Sequence, residues 1–426
     1  MKELLKKDFN ISLEIINFCE SALSDIKPQI NLIKDVVRYN QLKVLSAFSK
    51  NKISSQHLDG TTGYGYDDAG REAIDMLYSD VFKAEDALVR HNIISGTHAI
   101  SICMFAVLRP GDTLVSATGK PYDTLDEVID GGHTDSGSLK DFKIKYEQAE
   151  LNAGKVSLDN IMSTLDEKTK MVFIQKSKGY DWRSSLTNVE IGEIIKNVKN
   201  YNKDIVCLVD NCYGEFTEKS EPTEYGADLV AGSLIKNPGG GLAPTGGYVV
   251  GKKELVELAA YKLNSVGLGK NVGATLDINR HMMQGFFMAP HIVGEALTAA
   301  LFCGSVFKKM GFDVCPGVDE YRSDIIQAIK FKTPERVIEF CAGIQKGSPI
   351  DSFVSPMPWE MPGYSHKVIM AAGGFVQGSS IEISADAPIK PPYIAYMQGG
   401  LTFESAYAAI ALALQNLADK KLIKGF

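Results

Sequence analysis

The sequence predicts an α/β fold, with a mainly parallel sheet in a large domain and a smaller α+β domain after it, and three observations support this. Between about residues 88 and 251, short β-rich runs alternate with helical stretches, as in strands joined by crossover helices. After about residue 290 the pattern changes to helix, strand candidates and a final helix. The length, 426 residues, exceeds what one hydrophobic core usually organises, so two domains are expected.

Taken in chain order, the first 50 residues carry apolar side chains at helical spacing (Ile11, Leu13, Ile15, Ile16, then Ile30, Ile33, Val36, Val37). They are interrupted at Lys27-Pro28, which predicts two helices. Five strands are expected at DTLVSA (112–117), MVFIQ (171–175), IVCLVD (205–210), DLVAGS (228–233) and GYVVG (247–251). Thr187 and Glu190 have capping-box spacing just ahead of IGEIIKNVKNY, so a crossover helix starts there. Beyond residue 290 come a helical run, GEALTAALFCGSVFKKMG, and a Pro-rich segment at 355–362. Strand candidates in HKVIMAAGGFV and SSIEISAD and an Ala/Leu helix follow.

Composition narrows the function classes. The chain is 45% hydrophobic and 23% charged, with no uninterrupted apolar run long enough to cross a bilayer, which fits a soluble globular class with no membrane partner. Its first 20 residues mix charge into every turn and lack an apolar secretory segment, so a cytoplasmic location is expected. A net charge of −7 without a basic cluster gives no footprint for nucleic acid. The seven cysteines form no CxxC pair, and they read as core thiols rather than metal ligands. A small molecule is the expected partner.

The chemistry centres on DLVAGSLIKNPGGGLAPTGGYVVG, where Lys236 follows an apolar strand and precedes three glycines. Open α/β sheets bind ligands at the carboxyl ends of their strands. A lysine there, flanked by Leu234 and Ile235, suits imine chemistry, which needs an amine that can become neutral and nucleophilic; an ordinary lysine is simply solvated. Asp210 ends the run IVCLV, 26 residues before the lysine. An acid at that place either begins a turn with Asn211 or keeps a pyridine ring nitrogen protonated, as pyridoxal-phosphate chemistry requires. Opposite charges about 4 Å apart interact by roughly 4 kcal/mol at an effective dielectric of 20, equivalent to about three pKa units.

Ser95, Gly96 and Thr97 precede HAISICMFAVL, an apolar stretch that reads as a buried helix. A helix start offers free N–H groups to a phosphate, and Ser233 could add a hydroxyl; a plain small-residue cap is the commoner outcome. His98 could be a core histidine or a cofactor contact. Tyr122, just after the DTLVSA strand, could stack on a pyridine ring or pack as a loop tyrosine. The segment GYGYDDAGR (63–71), with Tyr66 and Arg71, could donate phosphate contacts across a dimer or could be a turn leading into REAIDMLYSDVF.

With these residues in view, the chain resembles the cysteine/methionine-metabolism branch of aspartate-aminotransferase-fold enzymes, most closely the methionine gamma-lyase-like aluminium resistance protein family. The resemblance covers nearly the whole chain. It implies a fold type I pyridoxal-phosphate enzyme with a large cofactor domain at 51–290 and a small α+β domain at 291–426, helped by an N-terminal helical segment at 1–50. It also implies a homodimer or homotetramer with shared active sites. By motif, Lys236 looks like the Schiff-base lysine, Asp210 the pyridinium partner and Tyr122 the stacking tyrosine. Ser95, Gly96, Thr97 and Ser233 resemble the phosphate contacts, and Tyr66 and Arg71 the Tyr/Arg pair lent to a neighbouring subunit, although they stand five apart rather than two. The implied activity is pyridoxal 5'-phosphate-dependent elimination of thiol from a sulfur-containing amino acid. The alternatives are transamination, an aldolase reaction, or a non-catalytic role in metal tolerance. The sequence departs from the better-known lyases in one respect. No arginine occurs in QGSSIEISADAPIKPPYIAYMQGG, so the substrate carboxylate is expected to fall to Arg183 or Lys390.

Overall fold

The structure, a computed structural model, describes residues 1–131, 135–361, 364 and 366–426; the end of the Pro-rich segment, at Pro362, lies outside them. The chain divides into two compact units. The larger comprises Tyr39–Gly179 and Ser185–Ala289, the smaller Met1–Arg38, Tyr180–Ser184 and Pro290–Phe426.

The described N-terminal helices number three, not two: α1 (Lys2–Asp8), α2 (Leu13–Asp25) and α3 (Lys27–Lys50). The extra break arises because Asn10 takes a left-handed conformation (φ 54°) and Ser12 then caps α2, its hydroxyl accepting from the Ile15 N–H at 3.2 Å. The second break precedes Lys27-Pro28, where proline fits the first turn of α3. α3 runs past residue 38 without interruption, and its second half groups with the larger unit rather than ending a segment at residue 50. Buried Asn40 ties it there, donating to the carbonyls of Phe216 (3.1 Å) and Glu218 (2.8 Å).

The larger unit holds a seven-stranded sheet: β1 (Asp86–Arg90), β2 (Thr113–Ser116), β3 (Lys145–Gln148), β4 (Thr169–Gln175), β5 (Val206–Asp210), β6 (Leu229–Ser233) and β7 (Gly247–Gly251). Their order is β1-β7-β6-β5-β4-β2-β3, with β7 antiparallel to both neighbours and every other pairing parallel. All strands except β7 therefore point their carboxyl ends to one edge. β2 and β4 to β7 match the expected runs. The helices of this unit are α4 (Ala69–Phe82), α5 (Gly96–Val107), α6 (Asp123–Ile129), α7 (Leu158–Thr164), α8 (Asn188–Tyr201) and α9 (Lys253–Leu263). Thr187 and Glu190 form the capping box expected at the start of α8. Leu88, Leu114, Phe173, Leu208 and Val249 from the strands pack with Ile100, Met104 and Val256 from α5 and α9 in one buried cluster. Each fully buried side chain of this size contributes about 1.5–3 kcal/mol.

A buried ion pair locks α4 to β1: Arg90 Nη1 and Nη2 meet Asp75 Oδ1 and Oδ2 at 2.8 and 3.0 Å, and the Val89 N–H donates to the same carboxylate at 2.8 Å. Removing one partner strands the other charge. Asp75→Ala is expected to destabilise the protein by about 3–5 kcal/mol, read as a lower urea midpoint at unchanged slope.

α10 (Asn279–Lys309) spans the unit boundary at Pro290. By length and apolarity it could cross a membrane, and most of its apolar window is buried inside the protein. The smaller unit continues with β8 (Asp313–Cys315), β9 (Ile326–Lys330), α11 (Pro334–Lys346), β10 (Val368–Ala372), β11 (Ser384–Pro388), β12 (Ile394–Gln398) and α12 (Phe403–Asp419). Its sheet is antiparallel, in the order β10-β11-β12-β9-β8. The strand expected across SSIEISAD begins only at Ser384. Its first half is a turn because the Glu382 carboxylate folds back to accept the N–H groups of Phe375 (2.6 Å) and Val376 (2.7 Å).

Candidate active site

The site is built from strand ends. β5 ends in Asp210, β6 in Ser233, β4 in Gln175 and β2 in Ser116, and these parallel strands bring the loops after them to one edge of the sheet. Lys236 stands three residues beyond β6, and Tyr122 at the start of α6. β1 leads to Ser95, which caps α5 by accepting the His98 N–H at 3.1 Å.

Gly96 marks where these elements meet. A Cβ placed there would fall 2.8 Å from Cys212 Sγ, 3.7 Å from Ser233 Cβ and 4.0 Å from Lys236 Nζ. The first turn of α5, the loop after β5 and the loop after β6 thus converge on one point, and only glycine leaves it open. The helix start directs its free N–H groups and positive dipole end there. Gly96→Ala would crowd this point at a cost of about 1–3 kcal/mol. The expected result is a lower melting temperature of the ligand-free protein, together with weaker pyridoxal phosphate binding in a titration followed by absorbance.

Asp210 is buried, its Oδ1 accepting the Cys212 N–H at 3.0 Å. Burial pushes its carboxyl up, and the charge of Lys236 opposes that shift. The Lys236 amine lies 4.0 Å from the centroid of the Tyr213 ring. Burial alone would lower its pKa, but Cys212, Tyr213, Asp210 and Glu215 around it outweigh that and hold the amine above the ordinary lysine range.

Tyr122 is held by its backbone N–H, which donates to Gln175 Oε1 at 2.8 Å. The Thr97 hydroxyl is hydrogen-bonded to that of Thr124 at 2.7 Å, joining the starts of α5 and α6. His98 braces its own loop: Nδ1 accepts the Ile94 N–H at 3.2 Å, and burial lowers its pKa, favouring the neutral ring.

Arg71 is engaged within its own unit. Its guanidinium is buried against the backbone, donating to the carbonyls of Gly65, Gly273 (2.9 Å) and Asn271 (3.4 Å), so it braces two loops. Tyr66, by contrast, is exposed. Arg183 and Lys390 belong to the smaller unit, Arg183 buried with Nη1 on the Ser184 carbonyl (3.1 Å) and Lys390 exposed in the turn after β11. Sequence reasoning missed Cys212, Tyr213, Glu215 and Gln175. Their one available signal was position, at or just after the ends of two parallel strands.

The methionine gamma-lyase family model matches residues 15–418. The chain belongs to that family. The uncharacterized protein YnbB of Bacillus subtilis is 49% identical over 423 residues, 99% of this chain and 98% of that one. The crystal structure of a carbon-sulfur lyase involved in aluminium resistance from Clostridium novyi NT is 50% identical, with a TM-score of 0.93 over 97% of this chain and 98% of that one. At 13% identity, the pyridoxal-5'-phosphate-dependent protein YhfS of Escherichia coli covers 91% of this chain and 97% of its own at a TM-score of 0.61, a likeness of fold alone. The methionine gamma-lyase family implies pyridoxal phosphate as cofactor, and the residues present fit it: a lysine amine, a buried carboxyl and a helix start meet around a gap that a single methyl group would fill.

Proposed function

We propose that this family member is a pyridoxal-phosphate-dependent carbon–sulfur lyase that removes thiol from a sulfur-containing amino acid. The convergence of Lys236, Ser233 and Cys212 on Gly96, with Asp210 at the adjoining strand end, carries the reading. Lys236 would bind the cofactor covalently, Asp210 would face its ring nitrogen, and Tyr122 would lie along its ring. Ser95, Gly96, Thr97 and Ser233 would hold its phosphate at the start of α5. When bound, the cofactor supplies an aldehyde and an electron-accepting ring. The protein supplies the rest. The Lys236 amine would take the proton from the substrate α-carbon, and the Tyr122 hydroxyl would deliver a proton to the departing sulfur. Arg183 or Lys390 would recognise the substrate carboxylate, Arg183 with the better hydrogen-bonding fork.

Assembly of two or four copies with shared sites is part of this proposal. The exposed Tyr64 and Tyr66 rings, 5.6 Å apart, are the face offered to a second copy, with Tyr66 reaching the neighbour's phosphate. The deciding experiment is a panel of amino acids scored for products. Keto acid, ammonia and thiol support elimination; an aminated cofactor or glycine would replace it with transamination or aldol cleavage. Cofactor binding without turnover would leave a binding protein.

A further inference from the structure

Behind Lys236 lies a buried polar network that the reaction above does not use. Glu215, in the loop after β5, is fully buried. Its Oε1 accepts from the Tyr248 hydroxyl at 2.9 Å, whereas its Oε2 is buried without a hydrogen-bond partner among the described residues. Its carbonyl accepts from the side chain of Asn237, the residue next to Lys236, at 3.0 Å. Gly232, opposite Tyr248 in the β6–β7 register, makes room for the carboxyl: a Cβ there would fall 2.6 Å from Glu215 Oε1 and 2.5 Å from Tyr248 Cε1.

Donors are scarce in this network. Asn211 Nδ2 serves Glu221 Oε2 (3.0 Å) and the Tyr248 hydroxyl (3.4 Å), yet Asn211 Oδ1 and Asn237 Oδ1, like Glu215 Oε2, are buried without a donor among the described residues. An ionised carboxylate with a bare oxygen is costly in such a place. A proton on Oε2 removes the charge and makes that oxygen a donor.

We propose that Glu215 is a positioning residue carried as a neutral carboxylic acid, leaving Asp210 as the carboxylate that acts on the Lys236 amine. The functional half of this inference rests on the assignment of Lys236 made above. The groups facing Glu215 are Tyr78 from α4, Cys212 from its own loop, Glu221, Lys236 and Tyr248. Burial pushes the Glu215 carboxyl up to about 8, with its own backbone N–H, Tyr248 and Lys236 opposing and Glu221 adding to the shift. Two ionised carboxylates beside Lys236 would hold its proton and blunt the amine as a nucleophile. A neutral Glu215 relaxes that hold, and its ionisation on the alkaline side restores it.

Linkage gives a sign. The folded protein keeps a proton on Glu215 that the unfolded chain has released above the ordinary value of 4.5, so this group makes stability fall as pH rises from there to about 8. The test compares the holoprotein with Glu215→Gln, which is uncharged and of the same shape. Relative to the variant, the wild-type melting temperature should fall across that window. The visible absorbance of the wild type saturated with pyridoxal phosphate should show an inflection near pH 8 that Glu215→Gln lacks. Tyr248→Phe removes a donor to the anion, so it should move the inflection to higher pH, and it carries the test if Glu215→Gln does not fold. A melting difference constant with pH, or an inflection unmoved in both variants, overturns the inference. A wild type that gains no visible absorbance overturns the Lys236 assignment and the functional half with it, while the melts still judge the charge of Glu215.

Discussion

Lys236→Ala is expected to lose thiol release altogether. Loss of the general base alone costs about 10²–10⁴ in rate, and loss of the covalent attachment adds to it. The variant should remain folded, because the side chain removed is held by Tyr213 and nearby carboxyls and not by core packing. Borohydride treatment of the wild type saturated with pyridoxal phosphate should fix the cofactor on the peptide containing residue 236, and the same treatment should leave the alanine variant unlabelled. Full turnover by the variant, or a label on another lysine, would remove the foundation of the proposed function. Lys176 and Lys178 are the instructive controls, since both are buried on the same unit but are already engaged, Lys176 with Glu218 and Asn188, and Lys178 with Ser185.

Asp210→Asn should be nearly as severe. A carboxylate next to a protonated ring is worth roughly 4 kcal/mol at an effective dielectric of 20, about a thousandfold in rate if the ring must stay cationic during proton removal. The asparagine oxygen can still accept the Cys212 N–H, so the loop after β5 should keep its shape and the loss should fall on kcat more than on cofactor retention. Asp210→Glu separates charge from position: it keeps the carboxylate but displaces it, and partial recovery of kcat is the expected outcome. Equal activity in Asp210→Asn and wild type would assign the residue to a turn.

The legible parts of this protein are those where chemistry sits at the end of a strong local pattern. β4, β5 and β6 are runs of buried apolar residues, and Asp210 and Lys236 could be placed because they follow such runs directly. Gly96 could be placed because it opens an apolar helix. β3, with sequence KYEQ, and the three-residue β8 carry too little apolar pattern to stand out. Cys212, Tyr213 and Glu215 escaped for another reason. The chain turns at Tyr213 (φ 71°) and Phe216 (φ 62°) through left-handed conformations without glycine, and the side chains between them are aimed by tertiary packing. The backbone contacts of Arg71 were not legible because its partners at 271 and 273 lie some 200 residues away in sequence, out of reach of any local rule.

The interleaving of the two units has a consequence for biosynthesis. Ile11, Ile15 and Ile16 belong to the same buried cluster as Phe302, Phe340 and Ile410, which are synthesised much later. The first helices must therefore wait, with apolar faces uncovered, while most of the polypeptide is translated, and a nascent chain halted anywhere before α12 should be prone to chaperone capture and proteolysis.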